Sequence, residues 1–136
     1  MLKCGAKPLI NPYTTSVSKT NSFVTMDGRE IFKFAVKVIE KSIKQVLKNT
    51  GYSLEDIKYI VPHQANQRII EYCSKKLKID GDKFYMNLDV YGNTSAASIP
   101  IAFDELVGKK LLNKDDKVIF VGFGGGLSWG AALISY

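Results

Sequence analysis

Residues 58–78 read KYIVPHQANQRIIEYCSKKLK, and a change of period inside this stretch decides the fold class. Lys58 to Val61 is a short β-rich run that Pro62 halts, because proline cannot donate to a strand ladder. From about Ala65 to Lys78 the apolar residues Ile69, Ile70, Cys73 and Leu77 fall on one side of a helix, which Gly81 closes. A strand that passes directly into a helix is a unit of an α/β fold. His63 stands at the junction, just past the carboxyl end of a strand, where open α/β sheets commonly bind ligands.

Upstream, Asp27 is placed to cap a helix, with Glu30 three residues later reaching back in a variant of the capping box. Ile31, Phe34, Ala35, Val38, Ser42 and Val46 then recur at helical spacing, and Asn49 to Gly51 forms a left-handed stop. Ser53 to Asp56 reads as a short capped turn. Residues 1–28 carry Pro8, Pro12 and many small polar residues without a sustained period, and read as an irregular lead-in to a domain over 29–136. Downstream, Phe84 to Met86 suits a short strand and Asn87 to Ser98 a polar loop, with a helix over Ala96 to Val107 despite Pro100 in its first turn. Lys117 to Phe123 is a strongly β-branched strand, Gly124 to Gly126 a tight turn, and Leu127 to Tyr136 a last strand. The order helix, strand, helix, strand, helix, strand, strand is α/β.

The chain has 136 residues, 46% hydrophobic and 24% charged, the composition of a globular domain rather than a disordered or fibrous one. It holds no run of about 18 apolar residues, and its first 22 residues are too polar for a signal peptide, so no membrane partner is expected. The two cysteines, Cys4 and Cys73, are too few for a disulfide scaffold and fit a reducing compartment. With one His, no local zinc cluster can be built, and no metal is expected. Nineteen Lys and Arg against 13 Asp and Glu give a formal charge of +6, which favours acidic partners. The basic residues are neither bunched nor interleaved with aromatics, so nucleic acid is not the expected partner.

Three places could carry chemistry. A lone His is more often structural, yet His63 follows a strand-ending proline. Asn93, in VYGNTSAASIP (residues 90–100), would alone be a turn residue. A buried Asn amide nevertheless offers two donors, and together with His63 Nε2–H it could hold an oxyanion. The run VGFGGGLSWG (residues 121–130) fails as a nucleotide loop, since Leu127 stands where a third glycine belongs and no helix can follow. Three glycines between two strands instead let backbone amides approach a ligand closely. Neither cysteine reads as a nucleophile: Cys73 lies on the apolar side of its helix, and Cys4 lies in the lead-in.

Taken in order, MDGREIFKFAV, VPHQANQRII, NLDVYGNTSAASIPIAFDEL and GFGGGLSWGAALI, spread over residues 26–136, resemble the C-terminal half of the β-ketoacyl-acyl-carrier-protein synthase III family. HQANxR together with GNTSAAS sets this family apart from the elongating synthases and the plant polyketide synthases. The resemblance implies the C-terminal half of a thiolase-like fold, a mixed sheet flanked by helices, in which two similar halves meet and each active site draws on both. It further implies initiation of type II fatty acid synthesis. A cysteine of the N-terminal half takes an acyl group, in the first instance acetyl, from coenzyme A, and the acyl enzyme condenses with malonyl-acyl-carrier protein as carbon dioxide leaves. No tightly bound cofactor is implied; acetyl-CoA and malonyl-acyl-carrier protein are substrates.

Carried over by position, His63 and Asn93 bind the malonyl thioester carbonyl and stabilise the enolate. The amide of Gly125 joins the absent cysteine's own amide around the acyl oxygen. Gln64, Ala65, Asn66, Gln67 and Arg68 match the carrier-protein segment. Arg68, Tyr72, Lys75 and Lys76 share the outward face of the same helix and give the basic charge an acidic target. The pantetheine arm passes Arg29, Phe32 and Asn66; Arg29 stands where many family members have Asn, and a guanidinium there could meet a phosphate.

Partners implied are acyl carrier protein, the missing N-terminal half and, in the full-length form, a homodimer. The implied location is soluble and intracellular, in a bacterial cytoplasm or plastid stroma. The chain alone should not condense anything, and half of such a fold should expose an apolar face that drives association. Two alternatives stay open: a related acyl-CoA condensing enzyme of secondary metabolism, and a non-catalytic fragment that binds carrier protein or completes a partner's fold.

Overall fold

The computed structural model describes residues 2–4 and 24–136. Within the lead-in, Leu2–Cys4 (β1) and Val24–Met26 (β2) pair antiparallel with Leu2 opposite Met26, so this part is not wholly irregular. Three-residue strands so far apart in sequence, Leu2–Cys4 and Val24–Met26, leave no local period to read. Pro8 and Pro12 lie outside the described residues.

Helix α1 spans Gly28–Thr50. Asp27 caps it, its carboxylate accepting the Glu30 N–H at 3.1 Å, while the Glu30 carboxylate turns to Lys33 Nζ at 2.8 Å instead of returning to the cap. Gly51 ends the helix at φ 76, its N–H donating to the Leu47 carbonyl. Ala35, Val36, Val38, Ile39, Ser42 and Ile43 form the buried side, the three- and four-residue spacing of an amphipathic helix. The turn that follows is held by Asp56, which accepts both the N–H and the hydroxyl of Ser53.

Three strands make the sheet that carries the site: β3 (Ile57–Pro62), β4 (Lys117–Gly124) and β5 (Ser128–Ser135), in the order β3-β4-β5. β3 and β4 run parallel with Pro62 level with Val121, and β4 and β5 are antiparallel with Gly124 level with Ser128. The sheet is mixed, as the sequence implies. Alternate residues of β4 face opposite ways. Ile119 and Val121 join the core under α1, whereas Val118 joins the core under α4, which spans Ser98–Gly108. The result is three layers, with α1 and α2 (Gln67–Leu77) on one face of the sheet and α4 on the other.

Helix α2 starts two residues later than the periodicity suggests, because Asn66 takes the cap by accepting the Arg68 N–H at 2.9 Å. It is closed by Lys78 in the left-handed region at φ 55, not by Gly81, which opens a short 3-10 turn over Gly81–Lys83. The expected strand at Phe84 to Met86 is a single parallel bridge from Phe84 to Ile60. The polar segment before α4 contains one helical turn, α3 (Leu88–Tyr91), and a 3-10 turn, Ser95–Ala97. Among the described residues, no helix is long and apolar enough to cross a membrane.

Candidate active site

The parallel ladder continues one residue beyond β3: the His63 N–H donates to the Val121 carbonyl at 2.8 Å. Pro62 ends the strand, and the Ala65 N–H turns back to the His63 carbonyl at 2.9 Å, so the chain reverses at once into the α2 cap. His63 is thereby fixed at the carboxyl edge of the sheet by backbone bonds on both sides. Its ring packs edge-on against Phe123 of β4, with centroids 5.2 Å apart. Nδ1 lies 2.7 Å from Ser98 Oγ. Burial pushes the imidazole pKa below its ordinary value, so the ring is neutral at pH 7.

Asn93 approaches from the loop between α3 and α4. Gly92 at φ 68 turns the chain into it, and Ser95, itself left-handed at φ 54, donates its N–H to Asn93 Oδ1 at 3.0 Å. Because a backbone N–H occupies the oxygen, the amide nitrogen is the end left to donate. Asn93 is exposed rather than buried, contrary to the sequence reading. Its loop sits at the open rim of the site, where among the described residues no other element covers it.

His63 and Asn93 line one cavity of about 260 Å³, with Met26, Gly28, Ile31, Phe32 and Phe34 on the α1 side and Ala65, Asn66 and Ile69 on the α2 side. Phe123, Gly124 and Leu127 complete the wall. Apolar walls with two convergent donors are the make-up of a small-molecule or cofactor-arm site. Phe32 and Asn66, the two residues assigned to the pantetheine arm, both line this cavity. Arg29 does not line the cavity; it is exposed on the first turn of α1.

Gly125 is not part of the wall either. β4 stays paired through Gly124, so the turn is Gly125 to Leu127, and the last residue of β4, Gly124, and the last of the turn, Leu127, line the cavity. Gly126, at φ +135, is the position where glycine is required: a Cβ there would lie 2.5 Å from Ser128 Oγ and 2.9 Å from Ser128 N.

The HQANQR run divides. Asn66, Gln67 and Arg68 are exposed at the start of α2, and Ala65 is half-buried. Gln64 is a correction: it is only 1% exposed and cannot meet a partner. Its amide nitrogen donates to the carbonyls of Pro62 at 2.8 Å and Tyr85 at 3.2 Å, and its oxygen accepts the Asn87 N–H at 3.3 Å. It ties the end of β3 to the 85–87 segment. Tyr72, Lys75 and Arg68 are exposed on α2 as expected, but Lys76 is engaged by Glu40 at 2.8 Å, and Tyr72 meets Phe32 edge-on at 5.7 Å.

Cys73 is buried, and burial raises its thiol pKa to about 11; it is a packed side chain with almost no thiolate at neutral pH. Sequence reasoning missed Ser98, which is 2% exposed and accepts the Gln64 N–H at 3.2 Å besides meeting His63. A serine at the start of a helix reads as a cap, and nothing local reveals a ring 35 residues away.

Comparison with known proteins shows the family. Residues 47–136 match the family described as 3-oxoacyl-[acyl-carrier-protein (ACP)] synthase III C terminal. Beta-ketoacyl-[acyl-carrier-protein] synthase III of Clostridium novyi is 58% identical over 135 residues, 99% of this chain and 42% of that protein. The protein of the same name from Clostridium kluyveri is 60% identical over 134 residues, 98% of this chain and 41% of that protein. The crystal structure of beta-ketoacyl-[acyl-carrier-protein] synthase III from Thermus thermophilus superposes with a TM-score of 0.86 at 38% identity, covering 99% of this chain and 41% of that one. The chain therefore spans about two-fifths of the length of the curated relatives it matches. The match to the family over residues 47–136, and the relatives 58% and 60% identical over nearly the whole chain, place this protein in the 3-oxoacyl-acyl-carrier-protein synthase III family, as its C-terminal part.

Proposed function

We propose that the chain is the His/Asn half of an initiating condensing enzyme, which joins an acyl group from acyl-CoA to malonyl-acyl-carrier protein. The observation that carries this reading is the convergence of His63 and Asn93 on one cavity, with the Asn oxygen already bonded so that its NH₂ is free to donate.

The acyl group sits as a thioester on a cysteine supplied by the other part of the fold. Malonyl thioester enters along the apolar wall of Phe32 and Ile69, past Asn66. As the carboxylate leaves as carbon dioxide, the electron pair of the broken C–C bond moves into the thioester carbonyl. The resulting enolate oxygen carries the charge, and donors from His63 and Asn93 stabilise it; such a donor contributes about 10²–10³ in rate. The enolate carbon then attacks the acyl carbonyl, forming the new C–C bond and releasing the cysteine thiolate. Gly124, which lines the cavity next to Gly125, offers an amide to the acyl oxygen.

Arg68 and Lys75 on α2 form the basic face for the acidic carrier protein, with Asn66 and Gln67 at its edge. Acetyl-CoA is the first acyl donor to try, and the exposed guanidinium of Arg29, on the first turn of α1 outside the cavity, would meet a phosphate of coenzyme A. The working protein pairs this chain with the cysteine-bearing half, and two such units make a homodimer in a bacterial cytoplasm or plastid stroma.

The test is complementation. The purified chain, alone and joined to a cysteine-bearing condensing-enzyme half, is given acetyl-CoA and malonyl-acyl-carrier protein, and ketoacyl product is measured. Product from the joined protein only is the expected result; turnover by the 136-residue chain alone, or none from a joined protein that folds, contradicts the reading.

A further inference from the structure

We infer that Ser98 is a positioning residue that sets the tautomer of His63, donating its hydroxyl proton to Nδ1 so that Nε2 carries the ring proton toward the cavity. The catalytic consequence rests on the reading of His63 as an oxyanion donor, but the tautomer itself does not.

The direction of the bond follows from counting partners. Ser98 Oγ lies 2.7 Å from His63 Nδ1 and accepts the Gln64 N–H at 3.2 Å. Among the described residues, those are its only two hydrogen-bond partners. Ser98 is 2% exposed, so water does not reach its hydroxyl freely. A hydroxyl has one proton to give. If Nδ1 carried the ring hydrogen, Ser98 would accept twice and its own proton would be buried without an acceptor, at a cost of about 1–3 kcal/mol. With Nδ1 accepting, every group is satisfied. The neutral ring, which burial favours, then has its hydrogen on Nε2.

The surroundings hold this arrangement in place. Ser98 opens α4, whose Ala102 and Leu106 are buried in the core beneath β3. His63 is pinned to β4 by its own backbone N–H, and the Gln64 N–H that Ser98 accepts belongs to the next residue along. One hydroxyl thus reads both the ring and the backbone of the strand-to-helix junction. Phe123 against the ring edge limits rotation about the side-chain bonds.

The single His of the chain makes the test direct. Imidazole nitrogens are observed by ¹H–¹⁵N correlation NMR above the ring pKa, in the wild-type chain, Ser98→Ala and Ser98→Thr. Wild type should show the hydrogen on Nε2, with the Nδ1 resonance displaced by an accepted hydrogen bond. Ser98→Thr, which keeps the hydroxyl, should preserve both signatures. Ser98→Ala should lose the Nδ1 displacement and raise the Nδ1–H population about fivefold, the ratio one ordinary hydrogen bond supports. An Nδ1–H tautomer in wild type overturns the proposal whether or not the variants fold. So does an Ser98→Ala spectrum that superposes on wild type. If the tautomer is as inferred but His63→Ala leaves the joined enzyme's condensation rate intact, the catalytic reading fails while the role of Ser98 stands.

Discussion

The His63 N–H donates to the Val121 carbonyl at 2.8 Å, so a residue past the end of β3 is still held by the ladder of β4. That bond gives the backbone its place without using the ring. Removing the side chain should therefore keep this ladder bond, while leaving the Ser98 hydroxyl without its acceptor at a cost of about 1–3 kcal/mol.

The first consequence concerns pH. Burial places the folded-state pKa of His63 below its ordinary 6.5, so near that pH the unfolded chain binds a proton that the folded chain refuses. Stability rises with pH wherever the unfolded state binds more protons. The contribution of His63 is thus neutral above about pH 6.5 and becomes destabilising as pH falls below it. Melting temperatures of wild type and His63→Gln, taken at about pH 7.5 and pH 5.5, should show the larger drop in wild type. Parallel drops would show that burial does not disfavour the imidazolium.

Gln64 separates structure from docking. Replacing it with Ala leaves the carbonyls of Pro62 and Tyr85 and the N–H of Asn87 without their partner. Buried groups stripped in this way cost about 1–3 kcal/mol. Chemical denaturation of Gln64→Ala should show a loss of about 3 kcal/mol, against less than about 0.5 kcal/mol for Gln67→Ala on the exposed turn beside it. Equal, small effects would place Gln64 at the surface after all.

Cys73 should be inert in the native state. With a buried thiol whose pKa is raised to about 11, it should resist iodoacetamide near pH 8 and react on unfolding in denaturant, read by mass spectrometry after proteolysis. Prompt native-state alkylation at Cys73 would mean that the thiol is accessible and would reopen it as a candidate nucleophile.

For the proposed carrier-protein face, Arg68→Glu reverses an exposed charge at the start of α2. Binding of acyl carrier protein to the joined enzyme should weaken about tenfold at low salt, and the difference should shrink as salt rises. Lys48→Glu, also exposed but at the far end of α1, serves as the charge-matched control. Equal weakening by both substitutions would show a general charge effect rather than a docking face.

Much of this was legible in the residues because the signals are local. Asp27 and Gly51 bracket α1 through side-chain capping and a left-handed stop, and the β-branched run over Lys117 to Phe123 is a strand by its own composition. His63, Asn93, Phe32 and Asn66 were legible only through motif context, since a lone His or Asn has no period. What escaped depends on contacts far apart in sequence. The pairing of β1 with β2, the burial of Gln64 under residues 85–87 and the bond from Ser98 to His63 each need the folded chain. Lys78 shows the limit of turn rules: the ladder of α2 ran out before Gly81, and a lysine took the left-handed cap. Gly125 shows it again, because strand pairing through Gly124 moved the turn by one residue.

On the proposed function, His63 and Asn93 act together on the charge that develops as malonyl thioester loses carbon dioxide. The most direct measurement of this is the rate of carbon dioxide release from malonyl-acyl-carrier protein by the joined enzyme, for wild type, His63→Ala and Asn93→Ala, with unfolding midpoints recorded in parallel. A fall of about 10²–10³ is expected for each single variant, with the midpoint little changed in Asn93→Ala and lowered in His63→Ala only as far as the unpartnered Ser98 hydroxyl, at about 1–3 kcal/mol, requires. Release within about twofold of wild type in either folded variant would contradict it.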